Sequence, residues 1–309
     1  MPSPSPRHFL VDDDLTPAEL DRVLDDAARR KKDRFADTPL NGGSVALVFE
    51  KPSTRTRLSF EVGVHELGGH PMVIDAGTTQ LGRGETLEDT AMVMSRYCAA
   101  IVIRTFGQER IERLAAASSV PVVNALTDYA HPCQAIADLQ TIRERRGGTS
   151  GLTLTYVGDG NNVANSLMLA GVAAGMRVRV AAPRGYEPID QVVRRANQIG
   201  EDTGGAAVVM TDPLEAAKGA DVLYTDVWAS MGQEDEAQSK TQLFRGYQLD
   251  ERIVDAANDD VVVLHCLPAH RGEEIAAEVI DGPHSAVWDQ AENRLHAQKA
   301  LLAFLLDNG

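Results

Sequence analysis

The chain is poor in cysteine, in basic charge and in uninterrupted apolar stretches, and each shortage narrows what it can be. Its 309 residues hold three cysteines, Cys98, Cys133 and Cys266. An odd number at wide spacing supports no disulfide framework and fits reduced thiols in the cytosol. No Cys-x-x-Cys pair or histidine-rich tract marks a metal site, so no metal and no organic cofactor is expected. Apolar runs fall far short of the ~20 residues that span a bilayer. Even the run 261–264 is followed at once by His265. Residues 1–7 alternate Ser and Pro, without the apolar centre of a signal peptide or the arginine-rich face of a transit sequence. A cytoplasmic location without a membrane partner is expected. The 30 basic residues against 45 acidic ones leave a net charge of −15, which speaks against nucleic acid and anionic lipid as partners. Any anion site has to be local.

What is present is 43% hydrophobic composition, enough for two ordinary cores. Thr16-Pro17-Ala18-Glu19 is a capping box with proline at the first helical position and predicts a helix over 17–32. Short apolar runs at 44–49, 72–75, 101–104 and 120–125 read as buried strands separated by helical periods, one set of parallel βα units. A connecting helix over 131–145 runs into the breaker Arg145-Arg146-Gly147-Gly148, and the alternation then restarts. The second set predicts strands near 152–157, 177–182, 207–211, 222–226, 261–266 and 286–289. A terminal helix over 291–307 carries Leu295, Leu301, Leu302 and Leu305. The fold class is α/β with two domains, each an open parallel sheet flanked by helices. Residues 1–146 form the first domain, with the C-terminal helix 291–309 packing back on it, and residues 147–290 form the second. Ligands of such sheets collect beyond the carboxyl ends of the strands, so polar segments just after strands carry the functional information.

The first such segment is Lys51-Pro52-Ser53-Thr54-Arg55-Thr56-Arg57, followed by the amphipathic positions Leu58, Phe60, Val62 and Leu67. Ser53 is the expected cap. Two arginines in the first turn oppose the positive end of the helix macrodipole, and an anion would compensate them. Free N–H groups, hydroxyls and guanidinium forks make a phosphate cradle without a glycine-rich loop. A solvated basic turn would look the same in composition. A second cluster argues against that: Arg104 closes the strand 101–104, where packing explains it poorly, and His131-Pro132-Cys133-Gln134 opens the connecting helix. A lone His131 would more often be a cap.

Taken together, Ser53-Thr54-Arg55-Thr56-Arg57, Arg104-Thr105 and His131-Pro132-Cys133-Gln134 resemble the carbamoyl-phosphate half of the aspartate and ornithine carbamoyltransferases. The resemblance implies that Ser53, Thr54, Arg55 and Thr56 bind the phosphate. It places Arg104, His131 and Thr56 at the carbamoyl carbonyl oxygen and Gln134 at its amide. Arg57 either binds directly or holds the loop through an ion pair. Gln80, in Thr78-Thr79-Gln80-Leu81-Gly82-Arg83-Gly84, is by composition a plain surface turn. In the family that segment reaches a neighbouring subunit's site, which implies a homotrimer with sites at subunit interfaces.

The second half must choose the acceptor. Gly158-Asp159-Gly160-Asn161-Asn162 follows a strand and opens a helix but lacks the third glycine and the later acidic residue of a dinucleotide fingerprint. A tight polar turn presenting Asn162 is the better reading. Asp226 ends a strand and precedes Ser230-Met231-Gly232, and His265-Cys266-Leu267-Pro268 follows another strand. Asp226 as a turn cap, Met231 as a core side chain and Cys266 as an inert small hydrophobe are the plainer alternatives. These runs resemble the ornithine-using members of the family. The resemblance implies that Asn162, Asp226, Ser230 and Met231 hold the amino acid, and that Cys266 with Asp226 orients the reactive amine. Cys266 and the backbone of Leu267 also border carbamoyl phosphate, and the Leu267-Pro268 bond is a candidate cis peptide. Arg294, otherwise a surface arginine, matches a further carbamoyl-phosphate ligand.

The implied reaction transfers the carbamoyl group of carbamoyl phosphate to the side-chain amine of L-ornithine, giving L-citrulline and phosphate, in arginine biosynthesis. Aspartate, putrescine or a modified ornithine are the rival acceptors, and a nicotinamide-dependent dehydrogenase is the rival on fold alone. The two motif sets predict separable effects. Arg55→Ala should cripple carbamoyl-phosphate binding and Cys266→Ala should chiefly affect ornithine use or turnover. Unchanged kinetics of Arg55→Ala at limiting carbamoyl phosphate would sink the anion-site assignment.

Overall fold

Helix and strand ends are set by local chemistry that the computed structural model makes explicit over residues 6–78, 84–228, 240 and 242–307. Helix α1, Pro17–Lys32, starts where Thr16 Oγ1 accepts from Glu19 N and the Glu19 carboxylate accepts from Thr16 N at 2.9 Å. That is the reciprocal capping box. The chain separates into two units: Met1–Ala137 with Glu292–Gly309, and Asp138–Ala291.

In the first unit, β1 (Ser44–Phe49), α2 (Thr54–Glu66), β2 (His70–Asp75), α3 (Leu87–Met94), β3 (Ala100–Arg104), α4 (Gln108–Ala117) and β4 (Val122–Leu126) alternate, and helix α5 (Pro132–Arg146) follows, belonging to the second unit from Asp138 onward. The four strands form a parallel sheet in the order β2-β1-β3-β4. Every residue of β3, and of β1 from Val45 on, is buried, so both faces of the central strands are covered. One face packs Ala46, Val48, Ile101 and Ile103 against Leu87 and Ala91 of α3 and Ile111 and Leu114 of α4.

The second unit runs through β5 (Thr153–Val157), α6 (Asn162–Ala173), β6 (Arg177–Ala181), α7 (Asp190–Thr203), β7 (Ala206–Met210), α8 (Pro213–Ala217), β8 (Val222–Thr225), α9 (Glu251–Ala256), β9 (Val262–His265) and α10 (Ala277–Ile280). Its parallel sheet has the order β7-β6-β5-β8-β9. Helix α6 is buried on all sides from Val163 to Ala173, apolar except for Asn165 and Ser166, whereas α7 buries only the stripe Val192, Ala196 and Gly200. The last helix, α11 (Val287–Asp307), belongs to the first unit from Glu292 onward. There Lys299 Nζ, fully buried, donates to Glu66 Oε2 of α2 at 2.7 Å, and Arg34 pairs with the same carboxylate. The terminal helix thus packs on the first unit, as expected.

One predicted strand is absent. Residues 286–289 read as a strand because Ala286-Val287-Trp288 is apolar, but only Ser285 bridges to Val263. Gln290 N already donates to Ala286 O at 2.9 Å, so α11 starts four residues earlier than its leucine pattern marks. Elsewhere strand ends move by one or two residues, β2 beginning at His70 and β4 ending at Leu126. The Leu267–Pro268 peptide is cis. Among the described residues no helix is long and apolar enough to cross a membrane.

Removing one partner of a buried ion pair strands the other charge, at a cost of about 3–5 kcal/mol. Arg34 still pairs with Glu66 when Lys299 is lost, so Lys299→Met should lower unfolding stability by less than that, about 1.5–3 kcal/mol, in a denaturant titration. A loss under ~1 kcal/mol would mean the pair behaves like an exposed one and does not secure α11.

Candidate functional site

The order β2-β1-β3-β4 means that the chain leaves β1 toward one edge and β3 toward the other. A crevice opens between adjacent strands where successive connections diverge in this way. The segment after β1 and the end of β3 are the two sequence-predicted anion segments. Ser53 is the N-cap of α2, its hydroxyl accepting from Thr56 N at 3.3 Å. No acidic residue lies in the first turn, so the positive end of this helix is left to other anions. Thr54 is exposed, Ser53 and Arg55 are half-buried and Thr56 is buried. Arg57 points along the helix surface instead, pairing with Glu61 at 3.3 Å.

Arg104 ends β3 opposite Phe49 of β1 and is buried. Its neighbour Thr105 donates its hydroxyl to Glu50, which also pairs with Arg110, and Glu50 N donates to Arg104 O at 2.9 Å. The exits of β1 and β3 are thereby tied together. His131 stands before α5, its carbonyl accepting from Gln134 N at 3.0 Å and Ala135 N at 3.3 Å. Only its backbone makes these bonds, and its side chain is buried. Arg294 is no surface arginine: it is 3% exposed, and its two terminal nitrogens donate to Gln134 Oε1 at 2.6 Å and Thr56 Oγ1 at 3.2 Å. Burial, then the guanidinium groups of Arg294, Arg104 and Arg55, push the His131 pKa well below the ordinary imidazole value. The ring is neutral at physiological pH, because a further cation in this cluster would be unpaid. Cys133 plays no visible part, since burial pushes its thiol up to about 12 and the thiol donates to Asn124 O.

The second unit repeats the logic. In the order β7-β6-β5-β8-β9 the connections diverge between β5 and β8. Asn161 follows β5, Asp226 follows β8 and Cys266 follows the adjacent β9. Asn161 caps α6 through Oδ1, accepting from Val163 N and Ala164 N, and its Nδ2 donates to Asp226 Oδ2 at 3.0 Å. Cys266 Sγ donates to Asp226 Oδ1 at 2.9 Å. Three residues far apart in sequence thus meet on one buried carboxylate. Asn162, the expected presenter, is the half-buried first residue of α6, and Asn161 is the one joined to Asp226. An asparagine ahead of an apolar helix is a cap signal that could have singled it out. Gln80, Ser230 and Met231 lie outside the described residues.

Sequence reasoning did not find the support behind Cys266. His265 is fully buried, with Nε2 3.1 Å from Glu274 Oε1 and Nδ1 accepting from Leu267 N at 2.9 Å. Its backbone N–H donates to Gln290 Oε1. Leu267 itself adopts φ +59°, a conformation rare outside glycine, and its amide is already used. It has only its carbonyl to offer a ligand. Asp226, His265 and Cys266 have ligand atoms within 4.8 Å of one another. Both ring nitrogens of His265 are occupied by Glu274 and Leu267, however, so this group is not arranged as a metal centre. His270, Glu273 and Glu274 also cluster, but Glu274 Oε1 is committed to His265 and to His270 N.

The first unit carries an arginine-rich helix start and the second a carboxylate–thiol–amide group, residue sets of the kind a transferase presents to its substrates. The chain belongs to the aspartate/ornithine carbamoyltransferase family. The description of the carbamoyl-P binding domain matches residues 7–144 and that of the Asp/Orn binding domain matches residues 150–305. An ornithine carbamoyltransferase of Parafrankia sp. is 67% identical over 305 residues, covering 97% of this chain and 96% of the relative. One from Acidothermus cellulolyticus is 64% identical, covering 97% of each chain. The solved structure of the Pyrococcus furiosus ornithine carbamoyltransferase superposes with a TM-score of 0.94 at 48% identity, over 100% of both chains.

The burial of neutral His131 has a measurable consequence. Its folded pKa is depressed, so the unfolded chain takes up this proton first, and the contribution to stability is lost as pH falls below ~6.5. The stability advantage of the wild type over His131→Gln should shrink with falling pH, by up to about 1.4 kcal/mol per unit. A pH-independent difference in denaturation free energy would overturn the assignment of a neutral ring.

Proposed function

We propose that the protein transfers the carbamoyl group from carbamoyl phosphate to the side-chain amine of L-ornithine, releasing L-citrulline and phosphate. The observation that carries this reading is the Asp226 carboxylate, held by Asn161 and accepting a hydrogen bond from the Cys266 thiol. It presents a negative charge suited to an alkylammonium acceptor. The relatives at 67% and 64% identity that are named ornithine carbamoyltransferase support the same acceptor. Arginine biosynthesis is the pathway this product would serve.

In this reading the first unit is the carbamoyl-phosphate domain. Ser53, Thr54, Arg55 and Thr56 hold the phosphate at the α2 N-terminus. Arg104, His131 and Thr56 address the carbamoyl oxygen, and Gln134, held by Arg294, addresses the amide. Gln80, Arg294, Cys266 and the Leu267 carbonyl complete the donor's surroundings. In the second unit Asn162, Asp226, Ser230 and Met231 hold ornithine, and Asp226 with Cys266 aims its amine. An alkylammonium near pKa ~10.4 has to lose a proton before it attacks, and removal from water lowers that pKa. Nitrogen then bonds to the carbamoyl carbon and the carbon–oxygen bond to phosphate breaks. The departing phosphate takes up a proton. During attack the carbonyl oxygen becomes an oxyanion. The Arg104 cation and a neutral His131 N–H stabilise it more than they stabilise the planar substrate.

The functional unit in this reading is a homotrimer in the cytoplasm with sites shared between subunits. Exposed apolar side chains of the first unit, Leu58 at 55%, Met92 at 51% and Tyr97 at 74%, favour self-association, and three free thiols fit a reducing compartment.

The test is product formation by purified protein from carbamoyl phosphate with ornithine, aspartate, putrescine or acetylated ornithine, each alone and without added metal. Citrulline from ornithine is expected, from a particle of three times the monomer mass by light scattering. Turnover only with another amine would overturn the acceptor assignment and leave the carbamoyl-phosphate site standing.

A further inference from the structure

Lys240 is a lysine where lysine is costly. It is 4% exposed, and its ammonium donates to Asp159 Oδ2 at 2.8 Å, the carboxylate itself being only 13% exposed. A buried ion pair returns little net stability, because removing both charges from water offsets their attraction. Placement therefore explains it better than stability. Asp159 belongs to the turn between β5 and α6, and its carbonyl accepts from Asn161 N at 2.7 Å. The same ammonium lies 5.4 Å from the ring centre of Tyr186, whose carbonyl accepts from Gly160 N at 2.8 Å. Gly160 is wedged there: a Cβ on it would meet Pro188 N at 2.3 Å and Tyr186 O at 2.6 Å. The Tyr186 ring stacks edge-on against Phe244, which in turn contacts Trp228, two residues beyond Asp226.

We infer that Lys240 is a positioning residue for the acceptor amine, clamping the Asp159-Gly160-Asn161 turn so that Asn161 holds Asp226 in register with Cys266. The clamp works from two sides, on the Asp159 carboxylate and on the Tyr186 face. The inference rests on the acceptor reading above. Loss of the clamp frees the turn, and the Asn161 amide no longer fixes the carboxylate that the amine meets. The carbamoyl-phosphate groups of the first unit are not linked to Lys240 by any of these bonds.

The test is steady-state kinetics of Lys240→Met, Lys240→Arg, Asp159→Asn and the double variant K240M/D159N, with each substrate varied at saturation of the other. Lys240→Met and Asp159→Asn should each raise the ornithine KM by about tenfold, a loss typical of a coupled polar network, and leave that for carbamoyl phosphate within about twofold. Lys240→Arg should recover most of the loss. The double variant should be no worse than the poorer single one, because either change breaks the same link. The inference is overturned by folded single variants with unchanged ornithine KM, by equal rises in both KM values, or by additive effects in the double variant. If Lys240→Met does not fold, Asp159→Asn and Lys240→Arg carry the same comparison. A wild type that makes no citrulline overturns the activity reading and this inference with it, whereas an active wild type with unchanged variants overturns this inference alone.

Discussion

Parallel strand pairing is the constraint on which the rest depends. A parallel strand cannot return through a tight turn, so each connection is a long crossover over one face of the sheet. Where one connection goes to the left edge and the next to the right, nothing covers the carboxyl ends of the two strands between them. Both units have one such place, between β1 and β3 and between β5 and β8. The residues there are the least explicable by packing. Arg104 ends a strand in which every residue is buried, and Asp226 is a carboxylate 6% exposed beside the core.

The two places are opposite in charge. In an acidic chain the first concentrates Arg55, Arg104 and Arg294 about a histidine that their presence and its burial keep neutral. The second presents a carboxylate whose two oxygens are held by an amide and a thiol. Such complementarity is costly to bury and is met by local pairing: Arg294 with Thr56 and Gln134, Glu50 with Arg110 and Thr105, Lys240 with Asp159. The supporting bonds hold the exits of neighbouring strands together, which is what keeps the charged groups aimed.

Local signals in the sequence were read well where one short segment decides the outcome. The capping box at Thr16, the Ser53 cap, the uninterrupted strand 44–49 and the βα rhythm all depend on residues a few positions apart. The strand expected at 286–289 failed for the complementary reason. Three apolar residues are compatible with either state, and the bonds of Ala286 to Val263 and Gln290 chose the helix. His265 was legible only as the first residue of the His265-Cys266-Leu267-Pro268 run that follows a strand. Its role in holding Leu267 N depends on the fully buried Glu274, nine positions away, which meets the other ring nitrogen.

The sequence by itself determined the class of fold, the two segments that follow β1 and β5, and the residue types gathered there, because helix caps and strand periodicity are short-range properties. Tertiary structure alone decided strand order, and with it that Arg104 stands beside the Ser53 loop and that Asn161, Asp226 and Cys266 share one carboxylate. It also decided that Arg294 is buried against Thr56 and Gln134, and that Lys240 reaches Asp159. These are pairings across tens to hundreds of positions. No local propensity encodes them, since they follow from which sheet neighbours the whole core selects.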